Sequence, residues 1–322
     1  MRNLSQFLYF CIMLSMSEIS TIVKSEAALC GFDACGIAKA DCLNDTKTVL
    51  QQWLDKGYNA SMKYMQNHFA ARLDPQLLVE NAKSVICLLI SYNSNLQQNS
   101  DAPKIARYAF SKDYHTVIRE KLNTLLAALQ KKIPQVNGRG FVDSAPVLER
   151  EWAFRAGLGW RGKSTMFISP VFGSYVFLAE LIVDVEMEYD KPLVDNFCGD
   201  CNKCINNCPT GAIVEPYVVD ARKCISYQTI EKKDDIAVST CGWLFGCDVC
   251  LQVCPYNKNA TNCNDYKFEL ITETLNMTFA DWENISEDDF KKTFEKSPLL
   301  RTGFDGIKRN LNNIKRMMNG LN

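Results

Sequence analysis

The chain has only two histidines, His68 and His115, among its 322 residues. Two imidazoles cannot build the three-histidine metal site found in some zinc enzymes. No G-x-G-x-x-G fingerprint and no P-loop are present, so a nicotinamide or nucleotide site of the usual kind is not expected. The formal net charge is only −1, so any contact with nucleic acid or membrane would need a local basic patch.

The chain also lacks a convincing export signal. Residues 1–16 carry one arginine and a short apolar run, which is too short to span a bilayer and is followed by no small-x-small cleavage site. We interpret residues 1–16 as a start-site artefact or a weak apolar leader. Met16 is then the expected start, because the residues after it predict an ordinary first helix.

Cysteine, by contrast, is abundant, with 15 residues in the chain. Nine of them lie from Cys198 to Cys254 inclusive. Disulfide frameworks are typical of short secreted chains, whereas closely spaced cysteines in a longer chain indicate bound metal and a reducing compartment. The first run, Cys198-x2-Cys201-x2-Cys204-x3-Cys208-Pro209, has the bacterial ferredoxin spacing for [4Fe-4S] clusters.

A second run, Cys247-x2-Cys250-x3-Cys254-Pro255, matches the last three cysteines of the same motif. Leu244 stands where the first cysteine should be, so one ligand must come from elsewhere. Cys224 lies between the two runs and is the preferred candidate, with Cys241 as its competitor.

Crossed ligation, in which the fourth cysteine of each run serves the other cluster, divides the ligands into two sets. The first cluster takes Cys198, Cys201, Cys204 and Cys254. The second cluster takes Cys208, Cys224, Cys247 and Cys250. A pair of zinc sites is the alternative, but zinc usually takes two separated C-x2-C pairs. The other cysteines are expected to be small buried apolar side chains: Cys11, Cys30, Cys35, Cys42, Cys87, Cys241 and Cys263.

Strands and helices alternate before the cysteine array and predict an α/β domain. The predicted helices cover residues 18–30, 45–56 and 116–132, and the predicted strands cover 35–40, 84–92 and 174–186. Pro146 is expected in the first turn of a further helix. The composition changes near residue 191, and the residues from about 264 onward are expected to be helical.

The segment 139–163 is the candidate site of the first domain. Asp143 ends an apolar strand, and Glu149, Arg150 and Arg155 follow on one short helix. Gly157, Gly159 and Gly162 then predict a turn that a bulky ligand could approach. The alternative is that Asp143 caps the helix and that the charges pair on its surface. Asp113-Tyr114-His115 starts like a cobalt-ligating D-x-H-x-x-G motif, but Ile118 replaces the glycine, so His115 is interpreted as a hydrogen-bonded structural residue.

Several separate motifs resemble those of epoxyqueuosine reductases. They are VDSAPVLEREWAFRAGLGWRGK (142–163), ARYAFSKDYH (106–115), GYNASMKYM (57–65), CGDCNKCINNCPTGAI (198–213) and RKCISYQTIE (222–231). The resemblance implies reduction of epoxyqueuosine to queuosine at the wobble position of tRNA anticodons, using cobalamin and two [4Fe-4S] clusters.

The same resemblance implies a fold and its domains. Residues 17–190 would form a cobalamin-binding α/β (α+β) domain of nitroreductase-like type. Residues 191–262 would form a ferredoxin-like two-cluster domain, and residues 263–322 a short helical tail.

Site residues follow from the family motifs. Asp143 matches the proton donor, and burial beside the cofactor is expected to raise its pKa and keep it protonated at neutral pH. The expected cobalamin contacts are Arg107, Tyr108, His115, Asp143, Ile168, Ser226, Cys247 and Asp248.

The expected partners are tRNA and an external electron donor of flavodoxin or ferredoxin type, with a monomeric, cytoplasmic enzyme that does not bind membranes. Two basic clusters could contact tRNA: Lys131, Lys132 and Arg139, and Lys308, Arg309, Lys315 and Arg316. Solvated helix faces are the alternative for each. The competing functions are a reductive dehalogenase-like cobalamin and iron–sulfur reductase and a non-enzymatic ferredoxin-type carrier.

Overall fold

A computed structural model of the chain describes residues 14–194, 197–236, 238–261 and 268–320. Cys11, Cys263 and nearly all of the proposed leader lie outside the described residues. Twelve helices are described: α1 (Met16–Leu29), α2 (Asn44–Asp55), α3 (Phe69–Leu73), α4 (Tyr114–Lys132), α5 (Glu149–Arg155), α6 (Lys203–Asn206), α7 (Ile225–Ile230), α8 (Val249–Gln252), α9 (Glu273–Asn276), α10 (Phe279–Asn284), α11 (Glu287–Thr293) and α12 (Gly303–Met318).

Ten short or medium strands accompany these helices in the described ranges: β1 (Ala34–Lys39), β2 (Ser84–Ser91), β3 (Lys104–Ile105), β4 (Gly138–Phe141), β5 (Trp160–Arg161), β6 (Phe167–Ile168), β7 (Val176–Val183), β8 (Ile213–Glu215), β9 (Val218–Val219) and β10 (Trp243–Phe245). The main sheet has four strands in the order β1-β2-β7-β4, and every neighbouring pair is antiparallel. The predicted mixed α/β fold is therefore confirmed.

The central strand β2 is buried along its whole length because helices cover both faces of the sheet. Ile86 and Leu88 share an apolar cluster with residues of α1 and α4. Val85 and Cys87 face the other way and pack in a second cluster with Trp152 of α5. This two-sided burial explains the continuous apolar run in the sequence.

The first residues of α1 and α5 show which capping signals in the sequence are used in the structure. Ser15 and Glu18 form a capping box at the start of α1. The prediction for Pro146 was wrong, because α5 begins only at Glu149 and its N-cap, Leu148, makes no side-chain hydrogen bond. Asp143 therefore does not cap this helix, and its carboxylate is available for other contacts.

The predicted glycine turn is filled by the protein itself. A Cβ atom at Gly157 would lie 2.6 Å from the carbonyl oxygen of Lys191, and one at Gly162 would lie 2.6 Å from Cδ1 of Ile168. At Gly159 the obstacle is the carbonyl oxygen of Ile168. These glycines allow close packing of two chain segments, so the expectation of a ligand there was wrong.

The region after the cysteine array packs against the first part of the chain. Strand β10 pairs in parallel with β3, and α12 contacts β10. One apolar cluster joins Ile105 and Phe110 to the fully buried Trp282 and Phe290 of the tail. The tail thus supports the segment 104–110, which leads into the candidate site.

None of the helices in these described ranges combines the length and apolar character that a bilayer crossing requires.

Candidate active site

The two cysteine runs are positioned by a pair of short helices. Cys204 lies on α6, Cys250 lies on α8, and these two helices contact each other. The eight thiols of the predicted ligand sets are partly buried, and the cysteines in the described residues are free of disulfides. The packing of α6 on α8 therefore brings together cysteines that lie more than forty positions apart.

One set of neighbouring thiols includes Cys198, Cys201, Cys204 and Cys254. Burial raises the pKa of Cys254, and the nearby Cys198 and Cys201 thiols add to this increase. Burial also raises the pKa of Cys204, with the same two thiols contributing. These residues come from both runs, as crossed ligation requires.

A second set includes Cys208, Cys224, Cys247 and Cys250. Burial raises the pKa of Cys247 to about 12, and the Cys224 and Cys208 thiols contribute to the increase. The pKa of Cys224 is raised by burial and by Cys208. Cys224 thus lies among the cysteines of the second set, whereas its competitor Cys241 is exposed beside Ser239.

The environment of these sulfur atoms suits iron–sulfur ligation. Buried thiols with a raised pKa are neutral near pH 7, and a bound metal cation would stabilise their thiolate form. At Cys208, burial alone would raise the pKa, but the backbone N–H groups of Thr210, Ala212 and Ile213 outweigh it and lower the pKa. The N–H of Ala212 lies 3.2 Å from the Cys208 sulfur. Hydrogen bonds to sulfur of this kind tune cluster potentials.

The cysteines outside the two sets do not all behave as small buried apolar side chains. Cys87 is fully buried, and Cys30 and Cys35 are partly buried. The prediction was wrong for Cys42 and Cys241, which are exposed.

A cavity of about 1990 Å³ lies between the sheet domain and the second cysteine set. Pockets for drug-sized ligands usually measure about 300–1,000 Å³, so this one can hold a larger molecule. Six of the predicted contacts line it: Tyr108, His115, Asp143, Ser226, Cys247 and Asp248. Cys208, Cys224 and Cys250 also line it, so the second set of thiols reaches the cavity wall.

Two predicted contacts do not line this cavity. Ile168 is buried on β6 against the glycines of the preceding turn. Arg107 lies behind the wall, where its guanidinium is 4.5 Å from the ring centre of Tyr175. Its backbone N–H donates a hydrogen bond of 2.7 Å to Oδ2 of Asp248. Burial raises the pKa of Asp248 to about 6, although this hydrogen bond and the Arg107 charge oppose the increase.

Asp143 sits in the cavity wall with a left-handed backbone, at φ 48°. The Tyr114 hydroxyl donates to Oδ2 of Asp143 at 2.5 Å, and Nε2 of His115 lies 3.2 Å from the same oxygen. Desolvation would raise the pKa of Asp143, but the hydrogen bonds from His115 and Tyr114 outweigh it and lower the pKa. The expectation of a raised pKa at Asp143 was therefore wrong.

His115 carries the proton that Asp143 was expected to hold. Its Nδ1 lies 2.6 Å from Oδ1 of Asp113, and its Nε2 faces Asp143. Desolvation lowers the pKa of His115, but the two carboxylates outweigh this effect and raise it to about 9. Near pH 7 the site therefore contains an imidazolium between two carboxylates, with one transferable proton beside Asp143.

The structure adds wall residues that the sequence analysis did not assign to the site. Four of them, Tyr58, Met62, Tyr64 and Met65, come from the motif 57–65. Arg301, from the 3₁₀ turn Pro298–Arg301, also lines the cavity and pairs with Glu231 at 2.9 Å. Alternation of tyrosine and methionine in 57–65 was the available signal, since such side chains can cover a large flat ligand.

The predicted basic clusters are largely bound within the protein. Lys132 pairs with Glu26 at 2.6 Å, which ties α4 to α1. Lys308 donates to the carbonyl oxygen of Glu283, and Arg309 donates to the carbonyl oxygen of Gln228 at 3.1 Å. These contacts favour the structural interpretation for most of the two clusters. Cations that do line the cavity include Arg150, Lys296 and Arg301.

Two family models match the chain. The model described as "Epoxyqueuosine reductase QueG, DUF1730" matches residues 72–144, which include Asp143. The model of the "4Fe-4S double cluster binding domain" matches residues 197–257, which include all eight cysteines of the two sets. The fold and the thiol sets thus define a protein with two [4Fe-4S] clusters beside a large ligand cavity.

Curated relatives are similar over nearly the whole chain. The epoxyqueuosine reductase of Cellulophaga algicola is 47% identical over 300 residues, which are 92% of this chain and 98% of the relative. That of Cyclobacterium marinum is 44% identical and covers 94% and 99% of the two chains, respectively. The chain belongs to the epoxyqueuosine reductase family.

Solved structures give the same result. The epoxyqueuosine reductase of Streptococcus thermophilus has a TM-score of 0.85 at 27% identity and covers 93% of this chain and 81% of its own. An epoxyqueuosine reductase solved with an epoxyqueuosine-modified stem loop of tRNA-Tyr has a TM-score of 0.83 at 31% identity, covering 92% and 80%. A catabolic reductive dehalogenase, at 16% identity and a TM-score of 0.52, shares the fold alone.

Proposed function

We propose that this chain reduces epoxyqueuosine to queuosine at the wobble position of tRNA, as the last step of queuosine synthesis. Family membership supports the reaction, and one related structure holds an epoxyqueuosine-modified tRNA stem loop. The observation that carries the proposal is the position of the Asp143–His115 pair on the wall of a cavity that Cys247 and Cys224 also line. Such a cavity can bring a proton source and an electron source to one substrate.

The proposed cluster ligands follow the two thiol sets. Cys198, Cys201, Cys204 and Cys254 would hold the first cluster, and Cys208, Cys224, Cys247 and Cys250 the second. Mutual electrostatic influence within each set supports this division. Only the second set lines the cavity, so electrons would enter through the first cluster and leave through the second.

Cobalamin is the proposed occupant of the cavity. The volume, about twice that of a drug-sized pocket, and the tyrosine and methionine side chains on the wall fit a large corrin ring. Tyr108, Ser226 and Asp248 would contact it, while Arg107 would hold Asp248 in place from behind. When bound, cobalamin supplies reducing electrons to the epoxide carbon.

The domains proposed for this architecture are residues 17–190 for the nitroreductase-like cobalamin domain, 191–262 for the two clusters and 263–322 for the helical tail. The apolar contacts of Trp282 and Phe290 with Ile105 support a tail that stabilises the first domain.

Proton delivery is the task of the residues around Asp143. Opening of the epoxide leaves negative charge on oxygen, which departs readily only when it is protonated. The protonated Nε2 of His115 lies 3.2 Å from Oδ2 of Asp143, and the Tyr114 hydroxyl donates a hydrogen bond to the same oxygen. We assign Asp143 as the group that transfers this proton to the substrate oxygen. A Bacillus subtilis relative solved with a catalytic aspartate loop swung out of its active site supports a functional aspartate on a movable loop.

Substrate access requires the modified base to leave its stack, which costs little in a single-stranded anticodon loop. Arg301 and Lys296 stand on the cavity wall and are suited to contact phosphates near the flipped base. The proposal includes a monomeric enzyme in the cytoplasm, where tRNA is found, and an external donor of flavodoxin or ferredoxin type.

The test is an anaerobic assay of purified protein with reconstituted clusters, cobalamin, a chemical reductant and tRNA that carries epoxyqueuosine. Digestion to nucleosides followed by mass spectrometry should show queuosine replacing epoxyqueuosine. A parallel reaction without cobalamin should leave the substrate unchanged. Unchanged nucleoside in the complete reaction would contradict the proposed function.

A further inference from the structure

Behind Asp143 the sheet contains a glutamate that has no part in the proton transfer from His115 through Asp143. Glu180, in the middle of β7, is 0% exposed. Both of its carboxyl oxygens lack a hydrogen-bond partner among the described residues. We propose that the buried Glu180 and the partly buried Glu149, which lines the cavity, form an acid pair that resupplies protons to Asp143 during the reduction. This inference rests on the proposed function.

The sheet register fixes the position of Glu180. It lies opposite Cys87 on β2 and opposite Phe141 on β4, so the three side chains share one face. Trp152 of α5 packs in the cluster that contains Cys87 and Phe141. Glu180 is therefore enclosed between the sheet and α5. Its partner on β4, Phe141, precedes Asp143 by two residues.

Glu149 links this buried position to Asp143. It is the first residue of α5, and its Oε1 accepts a 2.5 Å hydrogen bond from the backbone N–H of Asp143. Burial and the negative charge of Asp143 raise the pKa of Glu149 to about 8, against the opposing effects of that hydrogen bond, Arg150 and His115. Glu149 can therefore gain or lose a proton near neutral pH.

The groups that face Glu180 favour its protonated form. Burial raises its pKa far above the usual range, and the charges of Glu149 and Asp143 act in the same direction. Cys87, which lies opposite Glu180 on the neighbouring strand β2, is fully buried, and burial also raises the pKa of its thiol. Among the described residues, the charges that act on Glu180 are those of Glu149 and Asp143, whereas the cations Arg150 and His115 act on Glu149 and Asp143.

A structural role alone accounts poorly for this glutamate. A buried carboxyl group without hydrogen-bond partners destabilises the folded protein, and an apolar side chain of similar size at this position would make it more stable. The reaction, by contrast, needs two protons, because the epoxide oxygen leaves as water when two electrons reduce the ring to the alkene. His115 holds one proton beside Asp143, and the acid pair would hold the other.

The proposed transfer is balanced within the protein. After Asp143 has protonated the substrate oxygen, the O–H bond of Glu149 breaks and an O–H bond forms on the Asp143 carboxylate. Glu180 then transfers its proton to the Glu149 carboxylate, and between turnovers solvent in the cavity reprotonates Glu149, which passes a proton back to Glu180. The two electrons come from the one-electron donor through the clusters, so no additional reactant is needed.

The test replaces each acid by its amide, which keeps the shape but removes the transferable proton. In the anaerobic assay, Glu149→Gln and Glu180→Gln should lower the turnover rate about tenfold or more near pH 8. The loss should be smaller near pH 6, where solvent supplies protons more readily. Glu26→Gln is the matched control, because Glu26 is also buried but pairs with Lys132 on α4, and its rate and pH profile should equal those of the wild type.

An infrared measurement on the wild-type protein tests the acid pair without relying on turnover or on folding of the variants. With ¹³C-labelled glutamate, an isotope-shifted carboxylic acid C=O band should persist near pH 7, where ordinary glutamates are ionised. Absence of this band would overturn the proposal, as would unchanged pH–rate profiles in both folded amide variants. If wild-type protein formed no queuosine while the band was present, the proposed function would fail and the acid pair itself would stand.

Discussion

Substitution of Asp143 by asparagine separates proton delivery from the rest of the site. Asp143 has a left-handed backbone at φ 48°, which asparagine tolerates better than most residues. Its side chain is 56% exposed, so the change should leave the fold intact. The amide cannot deliver the proton, and we expect turnover to fall by about 10² to 10⁴ while both clusters and tRNA binding remain.

The same substitution should also change the pKa of His115. The pKa of His115 rises from 6.5 to about 9 although desolvation opposes the rise. This difference corresponds to about 3 kcal/mol of preference for the imidazolium, shared between Asp113 and Asp143. Loss of the Asp143 charge should therefore lower the pKa of His115, while Asp113 continues to raise it.

The direction of the pH dependence follows from the same shift. The folded-state pKa of His115 lies above its unfolded value, so its contribution to stability is complete below about pH 6.5 and is lost as the pH rises through about 9. In Asp143→Asn this contribution should be smaller and should be lost at lower pH. Urea unfolding at several pH values measures the effect.

Two readouts can refute this reasoning. The chain has only two histidines, so NMR titration of imidazole signals in the oxidised protein can follow His115 directly. Asp41→Asn, at an exposed position, is the matched control and should change neither turnover nor the titration of His115. Retained turnover in Asp143→Asn, or an unchanged pKa of His115, would remove Asp143 from its assigned role.

Three further predictions test the clusters, the tail and the substrate contact. Cys224→Ser should lower the iron content by about half or shift the spectrum of one cluster, whereas Cys241→Ser should retain both clusters; the reverse result would exchange their roles. Trp282→Ala should destabilise the protein by about 3 to 5 kcal/mol in denaturant unfolding, because Trp282 is fully buried, and a loss below about 1 kcal/mol would contradict this packing. Arg301→Ala should weaken tRNA binding. The slope of the logarithm of the binding constant against the logarithm of salt concentration should also decrease by about the value of one phosphate contact, and unchanged binding would exclude that contact.

The sequence predicted those features that depend on local patterns. The apolar run 84–92 became the buried strand Ser84–Ser91, and predicted helix 116–132 became Tyr114–Lys132. Fixed cysteine spacing likewise predicted a double-cluster domain, because cluster geometry tolerates few other arrangements.

Features that depend on tertiary contacts were missed. The pKa of Asp143 depends on Tyr114 and His115, which lie almost thirty positions earlier on α4, and no spacing rule connects them. Arg309 looked like part of a surface patch, yet it donates to backbone carbonyl groups of a distant segment. Gly159 looked suited to a ligand, but the backbone of Ile168 fills that space.

The electron path can be checked most directly by iron and sulfide analysis of protein purified and reconstituted without oxygen. Two thiol sets of four predict about eight iron and eight sulfide ions per chain. A value near four of each would mean that only one cluster forms, and would contradict the path from the first thiol set to the cavity.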